Sequence, residues 1–268
     1  MKSVGGVDSS WCIGQRSSER LPGRWAAAYP VASGLVAAGG GSLAGMTDRP
    51  FTPALATFFR GLAEHNEKSW FEDHREEWER HVEAPMESLL EEAEQRYGSG
   101  RVLRQHRDLR FTPDKRPYRE DTGLTAGGVY LSAGADGIQA GGGLYTPSRA
   151  QLTAARTAID EHPQAAAALQ RLLDDLVDAG FELAGPPLKT APRGYDADHP
   201  RIDLLRMQHY AALTHLPLTS PLSDIVDAWE RVQPLVRWTV KWARADDAEA
   251  ADDPAPPVPG ARSIDERA

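Results

Sequence analysis

The stretch "GVYLSAGADGIQAGGGLY", residues 128–145, reads as two short strand-like pieces joined by "GADG", a hairpin-type turn in which glycine supplies the backbone angles that other residues resist. Its three consecutive glycines, Gly141 to Gly143, lack both the G-x-G-x-x-G and the G-x-x-x-x-G-K spacing that would cradle a phosphate. A strand closely approached by neighbouring backbone is the better reading. Upstream, "RVLRQ" (101–105) and "RDLRF" (107–111) have the same strand-like character, and downstream "QHYAALTHL" (208–216) adds another, so the pieces assemble into a small antiparallel sheet.

The flanking segments are helical. Thr52 and Pro53 form a cap and first turn, after which Leu55, Phe58, Phe59 and Leu62 share one face. A second helix is predicted from Ser69, with Pro85 restarting or kinking it and Gly98 stopping it. Thr146 with Pro147 opens a third, Pro163 a fourth that closes at Gly180, and Ser220 with Pro221 a last one through Ile225, Trp229, Val232 and Leu235. "PRIDLLR" adds a short helix before the last strand. Helices packed on one face of a small antiparallel sheet make an α+β fold in a single domain.

That domain spans residues 46–244. Residues 1–45 have no sustained period and are expected to be a disordered leader or a start placed upstream of the true one at Met46. Residues 245–268 carry seven acids, two arginines and the run "DDPAPPVPGA", which predicts a disordered tail. The formal net charge of -9 argues against a general nucleic-acid coat, and no run approaches the roughly 20 apolar residues of a membrane span. The single Cys12 excludes a disulfide framework and fits a cytoplasmic setting.

The charge is segregated. Residues 101–119 have a net charge of +5, whereas residues 65–97 have a net charge of -7. In "RDLRFTPDKRPYRE" (107–120), Arg107 shares a strand face with Leu109 and Phe111, where a guanidinium must find a partner or a ligand. The prolines of "TPDKRPYR" rigidify a loop that displays Asp114, Lys115, Tyr118 and Arg119. A second loop, "LKTAPRGYDADHP" (188–200), repeats the chemistry with Lys189, Arg193, Tyr195, Asp198 and His199. Facing one another, the two loops would form one anion pocket, in which Arg107, Arg110, Lys115, Tyr118, Arg119, Lys189, Arg193 and Tyr195 bind and Asp108, Asp114 or His199 moves a proton. The competing reading makes the cations an internal ion network and Asp198 the cap of a helix. The spacing implies no metal site, and no cofactor follows from it.

Four motifs, "FFRGLAEHNEKSWFEDHREEW", "RDLRFTPDKRPYRE", "GADGIQAGGGLYTP" and "LKTAPRGYDADHPRIDLLR", resemble in order the domain-of-unknown-function 2461 family of conserved hypothetical proteins, over about residues 51–242. The resemblance implies one domain without an assigned activity, with pattern positions that include Asn66, Trp70, Phe71, Arg107, Tyr118, Arg193 and His199. The family often has Asn where this chain has His65 and Lys where it has Arg119; the second difference keeps the charge but changes the donor geometry. The functional expectation is an anion-binding domain for a phosphate-bearing small molecule or nucleotide. The alternative is a non-enzymatic structural or interaction domain, and the protein partner is left open.

Overall fold

A computed structural model of the chain describes residues 48–107 and 115–244. The predicted leader and tail lie outside the described residues, as do Asp108, Arg110, Asp114 and most of the predicted strand "RDLRF".

Thr52 is extended ahead of α1 (Pro53–Glu64), whose apolar stripe buries Leu55, Phe58, Phe59 and Leu62 as its spacing predicts. The helix expected from Ser69 is instead divided. It forms α2 (Lys68–Asp73) and α3 (Arg75–Trp78), which part at His74, then a π-helical turn over Glu79–Glu83, then α4 (Ala84–Tyr97). Pro85 supplies the reason for the wide turn. It has no N–H for the His81 carbonyl and its ring crowds that carbonyl, and a π turn relieves both. Gly98, at φ 103°, ends α4 as predicted.

The strands are β1 (Gly100–Val102), β2 (Asp121–Ala126), β3 (Val129–Gly134), β4 (Gly137–Leu144), β5 (Glu182–Leu183) and β6 (Tyr210–Leu216). They form one antiparallel sheet in the order β1-β2-β3-β4-β6-β5. The predicted hairpin is β3–β4, with Gly134 opposite Gly137. Sequence reading missed β2, because "DTGLTA" interrupts its threonines with Asp, Gly and Ala, which strands disfavour. It becomes a strand because β1 and β3 hydrogen-bond it on both edges.

Leu124, Ala126, Val129, Leu131, Ala133, Ile138, Ala140 and Ala212 fill one sheet face, each at most 2% exposed. On that face α8 (Leu222–Trp242) crosses β3, β4 and β6, α4 covers β1 and β2, and α6 (Pro163–Asp178) packs between α8 and β5. The helices of the α+β fold therefore lie on one side of the sheet, as expected. Trp229 Nε1 donates to the Tyr130 carbonyl at 3.0 Å, which fixes α8 against β3. Gly141 lets β4 and β6 close up, since a Cβ there would sit 2.0 Å from the Ala212 carbonyl oxygen.

Two helix starts differ from expectation. α5 (Arg149–Glu161) begins at Ser148 rather than Thr146, because the Ser148 hydroxyl accepts from Gln151 N while the Gln151 side chain accepts from Ser148 N. Asp198 does not cap the short α7 (Ile202–Leu205). Arg201 holds that position, and the Asp198 N–H donates to Asp196 Oδ1 instead.

The core also sets a response to alkali. Tyr210 is fully buried, and that burial pushes its phenol well above the usual 10.0. A phenol whose pKa is raised by folding contributes stability that is intact below the unfolded value and declines above it, because only the unfolded chain ionises there. Urea melts are expected to give a constant midpoint up to about pH 9.5 and then a loss of up to about 1.4 kcal/mol per pH unit from this group. A flat profile through pH 11 would contradict the burial.

Candidate binding face

Beyond β1 and β2 the described residues 103–107 and 115–120 run beside one another as the two arms of a distorted hairpin. Leu103 N donates to Gly123 O at 2.7 Å, Arg119 N to Gln105 O at 2.9 Å and Arg107 N to Pro117 O at 2.8 Å, and His106 bridges to Tyr118. Tyr118 turns to the helical side. It is 3% exposed and its ring stacks on Phe71 of α2 at 4.3 Å and 11°. Asn66 clamps its backbone, donating from Nδ2 to Tyr118 O and accepting from Tyr118 N, both at 3.0 Å. Tyr118 was expected to be displayed toward a ligand; the structure gives its ring to the core. The first two sequence motifs meet through these contacts.

Arg119 turns to the opposite face. Its Nε and Nη2 fork onto Asp121 Oδ1 and Oδ2, both at 2.9 Å, and the Tyr130 phenol is close enough to help hold the charge. Burial alone would lower its pKa, but Asp121 more than offsets that and leaves it raised, so the cation is firmly held. Arg116 pairs with Glu120, Arg107 is half-buried and Lys115 is exposed.

The second predicted loop lies elsewhere. Lys189 and Arg193 are exposed, while Tyr195 packs against the core. His199 accepts from Arg201 N at Nδ1 (3.1 Å) and so directs Nε2–H to Asp160 (3.1 Å), which engages both ring nitrogens within the fold. Strand register locates both loops. The hairpin leaves the sheet at Asp121, level with Gly134 and Gly137, whereas residues 188–200 precede Tyr210, level with Leu144. Seven residues along β4 and three strand spacings separate these corners, roughly 25 Å. Among the described residues, the register therefore sets the bases of the two loops at different corners of the sheet.

What joins the two corners is the sheet face that no helix covers among the described residues. Alternation places Asp121 and Thr125 of β2, Tyr130 and Ser132 of β3, Gln139 of β4, Leu213 and His215 of β6, and Glu182 of β5 on it. Burial raises the Tyr130 phenol, so it remains a protonated donor at neutral pH. Tyr130 lies 6.4 Å from Tyr145, ring to ring, and Tyr145 lies 5.4 Å from His209, whose Nδ1 bonds the Tyr145 carbonyl. Asp121, Tyr130, Ser132 and His209 were not foreseen. The signal for Tyr130 and Ser132 was present in "GVYLSA", where polar residues alternate with Val129, Leu131 and Ala133.

Among the described residues no group of three His, Cys, Asp or Glu side chains could hold a metal ion. A cleft of about 330 Å³ between the end of α8 and the β2–β3 turn is lined by Gly128, Leu144, Val236 and Val240, and holds none of the predicted site residues.

Fold and face together define a single-sheet α+β protein with helices on one side and a polar, aromatic row on the other. The family model described as "Conserved hypothetical protein (DUF2461)" matches residues 54–238, and the chain belongs to that family. No curated protein and no solved structure matches it. No helix among the described residues is long and apolar enough to cross a membrane.

Proposed function

We propose that the protein is a binding domain for an anionic small molecule, carrying phosphate or carboxylate, held on the helix-free sheet face at Arg119. The observation that supports this reading is the half-buried Arg119–Asp121 fork set beside the hydroxyls of Tyr130 and Ser132. Asp121 orients the guanidinium through two of its donors, and the remaining N–H groups with two hydroxyls offer a donor-rich edge suited to oxyanions.

The test is a thermal-shift titration of the full chain with inorganic pyrophosphate and citrate. A saturable rise in melting temperature is expected, and its loss in Arg119→Gln; a rise that survives that substitution, or none at millimolar ligand, sinks the reading. One observation favours a second reading, a structural or interaction domain with an internal ion network: Arg119 and Arg116 already have carboxylate partners in Asp121 and Glu120. Under it, Arg119→Gln changes stability alone.

A further inference from the structure

Tyr210 carries a polar atom into the helical side of the sheet. It alternates with Ala211 along β6 and so points the same way as Ala212, and its ring lies 5.7 Å from that of Trp238 on α8. The residue is fully buried, yet its hydroxyl has no hydrogen-bond partner among the described residues. Buried hydroxyls are nearly always paired, because one left alone forfeits its bonds to water. Burial also keeps this phenol protonated at neutral pH, which makes it a donor.

Arg156 of α5 lies close enough to act electrostatically on the Tyr210 phenol, and so does Tyr195 from the loop ahead of α7. The arginine is only partly satisfied. Its Nε donates to Leu205 O at 3.0 Å and its Nη2 to Met207 O at 3.4 Å, which caps the C-terminal end of α7. A guanidinium has five N–H donors, so three remain after these two, and they meet no acceptor among the described residues. Arg96, Arg116 and Arg119 each pair with a carboxylate, whereas among the described residues none pairs with Arg156. A half-buried cation with carbonyl partners alone, set beside two phenols, is a receptor for one negative charge.

We infer that a small carboxylate binds between α5 and the loop ahead of α7, its oxygens accepting from the Arg156 guanidinium and from the Tyr210 and Tyr195 hydroxyls. The planar edge of a guanidinium matches a carboxylate, and one charge balances the one arginine. Tyr210 forms the inner wall, while Arg156 and Tyr195 keep exposed surface. The site lies on the helical side of the sheet, opposite Arg119, and does not rest on the reading of that residue.

The experiment is a thermal-shift titration of the full chain with sodium acetate, sodium chloride holding the ionic strength constant. A saturable rise in melting temperature is expected. Tyr210→Phe leaves both Arg156 bonds in place, so without acetate it should melt no lower than the parent chain, and it should weaken the acetate response about tenfold or more. Arg119→Gln should leave that response unchanged. No response at millimolar acetate overturns the site, as does a response that Tyr210→Phe preserves; if Arg119→Gln abolishes it instead, the carboxylate belongs to the sheet face. A marked loss of stability in Tyr210→Phe without acetate means that ordered water already bonds the hydroxyl, and overturns the site as well.

Discussion

Tyr118→Ala is expected to destabilise the protein by about 3–5 kcal/mol, the range for truncating a fully buried aromatic side chain. The ring is 3% exposed, stacks on Phe71 at 4.3 Å and lies 4.8 Å from the His106 ring. Its loss would open a cavity beneath α2 and loosen the seat of the hairpin that presents Arg119. Tyr118→Phe keeps the stacking and the Asn66 clamp on the main chain, and should cost under about 1 kcal/mol. Urea denaturation separates the two. A mild Tyr118→Ala, or a severe Tyr118→Phe that leaves the fold intact while removing ligand binding, would return Tyr118 to the site that its sequence context suggested.

Gly141→Ala carries the other large effect. The added Cβ would lie 2.0 Å from the Ala212 oxygen and 2.8 Å from Leu213 Cα, both main-chain atoms that no rotamer change can move. β4 and β6 would have to separate, at about 3 kcal/mol or more. Gly180→Ala is the control. Gly180 has φ +86° with no atom within 4 Å of an added Cβ, so only backbone strain is charged, about 1 kcal/mol. Similar midpoints for the two variants in denaturant melts would mean that the close approach at Gly141 yields cheaply.

The candidate site was legible only in pieces. "RDLRFTPDKRPYRE" advertised unusual cationic density, and Arg119 does lie on the face proposed to bind. The charge count could not say that Tyr118 and Arg119, adjacent in sequence, face opposite sides of the sheet, nor that Asp121 would fork the guanidinium. Asn66 illustrates the same limit. Its position in the family pattern gave it no role, and its contacts turn out to be a two-way clamp on the Tyr118 backbone.

Local chemistry was sufficient for the elements. Apolar spacing located α1, α6 and α8, Pro85 announced a disturbance in the helix around it, and the glycines of "GADG" specified the β3–β4 turn, since each depends on neighbours within a few residues. Strand order belongs to the tertiary structure alone. It made β2 a strand despite weak propensity, set the bases of the two polar loops at different corners, and gathered Arg119, Tyr130, Tyr145 and His209 from four separate segments onto one face. Hydrogen-bond register between distant strands decides which side chains become neighbours, and spacing along the chain carries no record of it.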